Sequence, residues 1–254
     1  MSGGNRPDRT EDAIKLDRGV IAIRDERGFN QVYVPRGSTV RRAWRRNQWF
    51  VQQARSIAAR RILEIGSGLG TTAAHVANNV DADVLAIDLS QAFVDAAKQS
   101  HARENLTYRV ANLATDDLEE FGSFDLIYGI GILHHLIPTL ADFLRRLHGL
   151  LSPNGLIAFI EPNLLNPFCL VQFGTKLGRR LGRLEPDEMA FTRGKLRRLL
   201  AAGGWKNIEI QSRDFLLPSL PEWTVDPIIA VEPLFEATPV TWWLAQSHFI
   251  RAQA

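Results

Sequence analysis

The sequence predicts an α/β protein built on a parallel sheet, and three observations point to this fold class. From about residue 60 onward, short apolar runs alternate with helical patterns, as they do in βαβ units. The runs are predominantly apolar, which is typical of strands buried on both faces. The chain has 254 residues, of which 45% are hydrophobic, and one cysteine. This composition excludes wholesale disorder and a disulfide framework.

The segment before residue 60 predicts a frayed end, a hairpin and a helix. Residues 1–18 are polar and lack the apolar stretch of a secretory signal, so we expect them to be frayed. β-branched and aromatic runs at residues 19–24 and 29–34 flank Asp-Glu-Arg-Gly and predict a small hairpin. Ser38 is expected to cap an amphipathic helix that continues to about Ile57.

The alternating region places its strands and helices in a regular order. Strands are predicted at residues 61–65, 83–87, 106–110, 124–129 and 155–160, with helices at 71–79, 90–101 and 138–150. Residues 163–189 interrupt the alternation and are interpreted as an insertion over the ligand edge of the sheet. Beyond it we predict a helix from Thr192 to Ala202, a strand at 205–212, and a final strand at 240–251 after a Pro-rich, aromatic connection.

The strongest motif is the glycine-rich run Leu-Glu-Ile-Gly-Ser-Gly-Leu-Gly-Thr-Thr at residues 63–72, where a predicted strand turns into a helix. Glycines there allow a tight turn and let a ligand approach the backbone and the helix N-terminus. The dinucleotide motif G-x-G-x-x-G needs a glycine where this chain has Thr71. Asp88 ends the second strand, and its carboxylate suits a ribose diol.

These motifs, in this order, resemble the class I S-adenosylmethionine-dependent methyltransferases of small-molecule type, over about residues 61–161. Asn112 stands where the family usually has an aspartate, and an Asn carbonyl oxygen still accepts from the adenine amino group. Asn154 replaces a glycine in the turn before the fifth strand. The resemblance implies S-adenosylmethionine as cofactor, held by Glu64, Gly66, Ser67, Gly68, Gly70, Thr71, Asp88, Leu89, Asn112, Leu113 and Gly129.

The resemblance also implies the architecture. We expect a Rossmann-like, seven-stranded, mostly parallel sheet with one antiparallel terminal strand and helices on both faces. Residues 1–254 are predicted to form a single domain with a core at about 60–161. The N-terminal hairpin and helix, at about 19–57, and the insertion after strand five, at about 163–190, are predicted to cover the substrate.

The implied activity is methyl transfer by in-line displacement to oxygen, nitrogen or carbon of a small molecule, such as a natural product, a sugar or a lipid-linked intermediate. Three catalytic candidates follow the carboxyl ends of strands: His134 and His135 after strand four, and Glu161 after strand five. Histidine is an apt general base near neutral pH. Packing for the histidines, and capping for Glu161, are the alternative roles.

Other functions stay open as alternatives. Arginine clusters at residues 41–46, 60–61, 179–183 and 197–198 fit an RNA methyltransferase, but the net charge of +2 favours solvated helix faces over a nucleic-acid partner. An NAD-dependent oxidoreductase and a binding module without turnover are further alternatives. No spacing of His, Asp and Glu predicts a metal site, and Cys169 is interpreted as a small buried hydrophobe.

The predicted surroundings of the protein follow from the same features. With one cysteine, a polar start and no run of 18 apolar residues, we expect a cytoplasmic location and no membrane-spanning helix. The aromatic connection at residues 215–249 is read mainly as core and last strands. Its alternative role is an apolar wall beside the insertion, which suits a lipid-linked acceptor or a homodimer.

Overall fold

The structure, a computed structural model, is organised around one seven-stranded sheet. It describes residues 13–16, 20–24, 30–33, 37–117, 119–182, 184, 188–217 and 220–254. The strands of the sheet, in chain order, are β4 Arg61–Ile65, β5 Asp83–Asp88, β6 Leu106–Val110, β7 Phe124–Ile130, β8 Leu151–Pro162, β9 Lys206–Arg213 and β10 Ser247–Gln253. Their spatial order is β6-β5-β4-β7-β8-β10-β9. Strands β4 to β8 are parallel and β10 runs antiparallel to both neighbours, which confirms the predicted sheet.

A separate three-stranded antiparallel sheet precedes this core. It consists of β1 Ala13–Leu16, β2 Val20–Arg24 and β3 Asn30–Tyr33. The pairing of β2 with β3 confirms the predicted hairpin, whose turn at residues 25–28 lies outside the described residues. The expectation that residues 1–18 are frayed is wrong for Ala13–Leu16, because this run of mostly apolar residues pairs with β2.

Helices cover both faces of the large sheet, as predicted. The first face carries α1 Gly37–Ser56, α2 Thr71–Asn79 and α3 Gln91–His101, and the second carries α4 Leu140–Gly149 and α7 Arg193–Ala202. On the first face, Phe50 of α1 stacks on Tyr128 of β7 at 4.5 Å between ring centroids. Buried aliphatic side chains of both strand faces fill the two cores, and this burial is the main favourable term in folding.

The helix starts differ in how they are capped. Ser90 and Thr192 accept hydrogen bonds from the backbone N–H of Phe93 and Lys195 at 3.4 and 3.3 Å, as expected of N-caps. Ser38 does not cap α1, which begins one residue earlier, at Gly37. Its hydroxyl instead accepts from the N–H of Leu220 at 3.1 Å, because the buried N–H of a distant loop needs a partner.

The insertion after β8 is helical. It contains α5 Pro167–Gly174 and α6 Lys176–Gly182, and Asn166 caps α5 by accepting from the N–H of Phe168 and Cys169.

Strand β8, the fifth strand of the sheet along the chain, is longer than predicted, since Leu151 already pairs with Phe124. Asn154 has the left-handed conformation expected of it, with a φ of 66°, but it lies in an irregular stretch inside β8 rather than in a turn before the strand.

The C-terminal region differs most from expectation. The aromatic connection is not core and strands but contains α8 Glu222–Ala237, with Pro227 and Pro233 inside it, followed by a 3₁₀ helix at Pro239–Leu244. The final strand therefore begins at Ser247 rather than at residue 240. Trp223 and Trp243 are 79% and 47% exposed, so they do not belong to the core. Among the described helices, none combines the length and apolarity needed to cross a bilayer.

Candidate active site

The glycine-rich loop joins β4 to α2 at the carboxyl edge of the sheet. The N–H groups of Gly66 and Ser67 donate to the carbonyl of Ile87 at 2.8 and 3.0 Å, which fixes the loop against β5. Gly66 has a φ of +70°, and a Cβ there would collide with the side chain of Ile132. Gly70, with a φ of +74°, is the N-cap of α2, which carries no capping side chain. The first turn of α2 therefore keeps N–H groups for a ligand.

Asp88 at the end of β5 faces this loop. One carboxylate oxygen accepts from the N–H of Gly68 at 2.9 Å, and the other accepts from the N–H of Ser90 at 2.9 Å. A carboxylate has about four lone-pair sites, so each oxygen retains acceptor capacity. The donor and acceptor set fits a ligand with a vicinal diol, because two adjacent hydroxyls can donate to the two oxygens.

Other predicted cofactor residues lie around the same edge. Thr71 and Leu89 are exposed, with Leu89 at 48%, whereas Ser67 is 8% exposed and its hydroxyl has no hydrogen-bond partner among the described residues. A buried hydroxyl without a partner is costly, and a bound ligand would satisfy it. The structure thus brings the loop, the carboxylate and this hydroxyl together.

Glu64 lies below the loop rather than at its surface. It is 3% exposed, and in the sheet it is flanked by Ala86 and Tyr128 on the neighbouring strands. Burial raises the pKa of the Glu64 carboxyl well above its ordinary value, although contacts with Tyr128 and Ala73 oppose this in part. The protonated form of Glu64 is therefore favoured relative to an exposed glutamate.

The segment after β6 places Asn112 near the same edge. Its side-chain oxygen accepts from the N–H of Ala114 at 3.0 Å, and its own N–H donates to Asp116 at 2.8 Å. Leu113 is buried at 3% exposure in the core. Gly129 is the last residue but one of β7, and a Cβ there would lie 2.9 Å from the carbonyl oxygen of Ile65, so the close approach of β4 explains this glycine.

A second cluster of ionisable side chains, formed by His134, Glu161 and Glu188, lies where β7 and β8 end. His134 Nδ1 lies 2.8 Å from a Glu161 oxygen, and His134 Nε2 lies 3.3 Å from Glu188. The ring of His134 is also 6.0 Å from that of Phe173 in α5, so the insertion packs directly on this cluster. Burial alone would lower the pKa of His134, but the two carboxylates outweigh it and raise the pKa to about 9.

Glu161 is 1% exposed and holds the 131–135 loop in place. One oxygen accepts from the N–H of Ile132 and Leu133 at 2.9 and 2.7 Å, and the other accepts from the N–H of His134 at 3.3 Å. The Glu161 carboxylate thus lies at the N-terminal end of the 3₁₀ helix Leu133–His135, where a negative charge is favourable. The carboxylate therefore fixes the position of both histidines.

His135 is the most accessible of the three catalytic candidates, with 29% of its side chain exposed. Its Nδ1 lies 3.8 Å from Glu188, and its ring centroid lies 4.1 Å from that of His134. Sequence reasoning missed Glu188, because this residue reaches the histidines only when the insertion folds back. The main chain there is held by the hydrogen bond from Met189 N–H to the carbonyl of His134, at 3.2 Å.

Cys169, His75 and His148 lie outside both clusters. Cys169 is a free thiol at 6% exposure, as expected of a small buried hydrophobe, and burial raises its pKa to about 11. His75 pairs with Gln48 at 2.9 Å, and the ring of His148 packs on Trp205 at 5.2 Å.

The arginines of α1 are paired with carboxylates. Arg42 and Arg46 bind Asp214 at 2.9 and 2.7 Å, and Arg45 binds the buried Glu232 of α8. Arg41 binds Asp226 of α8 at 3.1 Å. These contacts join α1 to the C-terminal region, so this cluster does not present a row of unpaired cations to a phosphate backbone.

Comparison with known proteins places this geometry in context. Residues 63–157 match the family described as "Methyltransferase domain". Methyltransferase calH of Penicillium decumbens is 32% identical over 120 residues, 42% of this chain and 32% of that protein. Trans-aconitate 2-methyltransferase of Methylobacterium radiotolerans is 37% identical over 112 residues, 43% of this chain and 41% of that protein. The chain thus spans well under two thirds of the length of these curated relatives.

The fold is also that of solved methyltransferases. The crystal structure of magnesium protoporphyrin IX methyltransferase from Synechocystis PCC 6803, with bound SAH, superposes with a TM-score of 0.57 at 15% identity. The match covers 89% of this chain and 90% of that chain. Residues 63–157 are thus similar to a methyltransferase domain, and the chain has the fold of solved methyltransferases.

Proposed function

We propose that this protein transfers the methyl group of S-adenosylmethionine to a small molecule. The observation that carries the proposal is the pairing of the glycine-rich loop with Asp88, whose carboxylate accepts from the N–H of Gly68 at 2.9 Å. This contact holds the loop and the acidic group at one edge of the sheet. A ligand with a ribose diol and a charged amino-acid tail fits the carboxylate and the N–H groups in the first turn of α2, which has no side-chain cap.

The residues divide into a donor side and an acceptor side. When bound, S-adenosylmethionine supplies a methyl group activated by its sulfonium. On the donor side, Asp88 and the loop hold and orient the nucleoside. On the acceptor side, Ile132 packs against Gly66, and the following loop is fixed by Glu161. These residues would hold the cofactor and the acceptor next to each other, and methyl transfer would need the acceptor atom in line with the carbon–sulfur bond; positioning of this kind is the main contribution to rate.

Among the catalytic candidates, we assign His135 to contact with the acceptor. Its side chain is 29% exposed, whereas both ring nitrogens of His134 face carboxylates and Glu161 is engaged by three backbone N–H groups. His134 and Glu161 are thus positioning residues. A hydroxyl acceptor would gain from a base at His135, whereas an unprotonated amine needs none.

The acceptor is proposed to be a small natural product, a sugar or a lipid-linked intermediate, methylated at oxygen, nitrogen or carbon. The name of trans-aconitate 2-methyltransferase supports a small-molecule acceptor. Next to the His134 cluster, α6 exposes Leu177 at 67% and Leu181 at 74%, which supports an apolar or lipid-linked molecule. A homodimer through this face is the other use of these side chains.

The proposal extends to location. The chain has a single cysteine, which is free and buried, and this fits a reducing cytoplasm.

Release of S-adenosylhomocysteine tests the function. The purified chain is incubated with S-adenosylmethionine and matched sets of hydroxyl, amine and carboxylate acceptors, with total RNA as a separate arm. We expect turnover with at least one small-molecule set and none with RNA. Turnover with RNA alone would overturn the acceptor class. Calorimetric binding of NAD without binding of S-adenosylhomocysteine would overturn the cofactor.

A further inference from the structure

A buried group of metal-ligating side chains lies beside the acceptor loop. His134, His135 and Glu188 each offer one ligand atom, and these atoms lie within 4.8 Å of one another. We propose that this cluster binds a divalent transition-metal ion such as Zn²⁺. With a metal bound, His135 would act as a ligand rather than as the proposed base; metal binding itself does not depend on methyl transfer.

The donor set selects the class of metal. Two imidazoles and one carboxylate suit Zn²⁺, Co²⁺, Ni²⁺, Fe²⁺ and Mn²⁺, whereas Ca²⁺ and Mg²⁺ prefer oxygen ligands. The Glu188 carboxylate faces both rings, since its oxygens lie 3.3 Å from His134 Nε2 and 3.8 Å from His135 Nδ1. A single ion between these atoms would need only small side-chain movements. Three protein ligands leave further coordination positions for small molecules.

A carboxylate behind the first histidine completes the arrangement. Glu161 lies 2.8 Å from His134 Nδ1, on the side of the ring away from Glu188. Histidines that bind metals commonly donate their second ring N–H to a carboxylate, which fixes the tautomer and the orientation of the ring. With Nδ1–H donating to Glu161, an ion that replaces the proton on Nε2 would lie between this nitrogen and Glu188. Glu161 itself is held by three backbone N–H groups, so the ring cannot rotate freely.

The main chain also holds the third ligand close to the histidines. Met189 N–H donates to the carbonyl of His134 at 3.2 Å, and Arg179 Nη1 donates to the carbonyl of Glu188 at 2.9 Å. Glu188 is 6% exposed and His134 is 8% exposed. An ion bound there would therefore exchange most of its hydration shell for protein ligands, with access past the more exposed His135.

Binding of Zn²⁺ to the untagged, metal-free full chain tests the proposal. Calorimetry should show one ion per chain, and Co²⁺ should give a visible absorption spectrum that Zn²⁺ abolishes. Glu188→Gln and His135→Ala should each weaken Zn²⁺ binding at least ~10-fold. Glu161→Gln should weaken it roughly 10- to 100-fold. His101→Ala, which removes a histidine outside the cluster, is the matched control and should change nothing.

Two results would overturn the metal site. One is the absence of Zn²⁺ and Co²⁺ binding to the folded wild-type chain. The other is an unchanged affinity in both Glu188→Gln and His135→Ala, with folding verified by circular dichroism. Binding of S-adenosylhomocysteine to the metal-free chain is measured alongside. Loss of that binding bears on the proposed methyl transfer, and loss of Zn²⁺ binding bears on the metal site.

Discussion

Replacing Asp88 by alanine is the sharpest perturbation of the proposed cofactor site. Each carboxylate oxygen of Asp88 already accepts one backbone N–H at 2.9 Å, from Gly68 and from Ser90. Each oxygen therefore has room for one hydroxyl of a ribose diol. A hydrogen bond to a charged group contributes about 1.5–3 kcal/mol. The loss of two such bonds should cost at least about 3 kcal/mol, or roughly 100-fold in affinity.

Calorimetric titration with S-adenosylhomocysteine measures this change. Asp88→Asn keeps one carbonyl oxygen and should fall between the wild type and Asp88→Ala. Asp83→Ala is the matched control, because Asp83 lies exposed at the opposite end of the same strand. The dissociation constant of S-adenosylhomocysteine for the Asp83→Ala protein should equal that for the wild type.

The Asp88 variants also lose part of the support for the loop, so their folding is measured by thermal denaturation. We expect a folded Asp88→Ala protein, since the site is partly exposed and water replaces the lost acceptor. A dissociation constant within about 3-fold of the wild-type value, in a folded variant, would refute the assignment of Asp88 to the ribose.

Three further predictions concern buried groups. Asp214→Ala leaves Arg42 and Arg46 without their carboxylate and should lower the free energy of unfolding in urea by about 3–5 kcal/mol; a loss under about 1 kcal/mol contradicts this. Burial lowers the pKa of His248 from 6.5 to about 4. Below pH 6.5 the unfolded chain binds a proton at His248 that the native chain does not bind until about pH 4. About 3 kcal/mol of the free energy of unfolding should therefore be lost between pH 7.5 and 4, and His248→Asn should abolish this loss. Iodoacetamide at pH 8 should label Cys169 more than about 100-fold faster in urea than in the native protein; equal rates would contradict burial of the thiol.

The central sheet could be predicted because its signals are local. Each parallel strand is a short apolar run, and the glycine-rich loop marks the start of α2, whose bounds Thr71–Asn79 were predicted as observed. Asn154 also carries its own signal, since asparagine tolerates a positive φ. Local chemistry determines these elements, so tertiary contacts add little information about them.

The C-terminal region depends on distant contacts instead. Pro227 and Pro233 are helix breakers by local rules, yet α8 continues through both. Its ion pair between Glu232 and Arg45 of α1 supports the helix from outside. The aromatic run after it resembles a strand, but Trp242 donates to the carbonyl of Glu236 at 2.8 Å and the chain forms a 3₁₀ helix.

The two clusters of the site show the same contrast. The loop and Asp88 follow neighbouring strands, so the order of the parallel strands brings them together and the sequence predicts their meeting. Glu188 meets His134 only because α5 and α6 fold back over the sheet edge. No periodicity or spacing in the sequence indicates that the insertion folds back in this way. The sequence therefore did not predict that Glu188 joins the two histidines as a candidate metal ligand.

A crystal structure with bound S-adenosylhomocysteine would show whether Asp88 and the glycine-rich loop hold the cofactor. Both ribose hydroxyls should lie within hydrogen-bond distance of the Asp88 carboxylate, with the amino-acid tail against the loop at residues 66–70. The sulfur should face the loop at residues 131–135. A ligand bound at another edge of the sheet, or a ribose turned away from Asp88, would contradict this role of Asp88 and the loop.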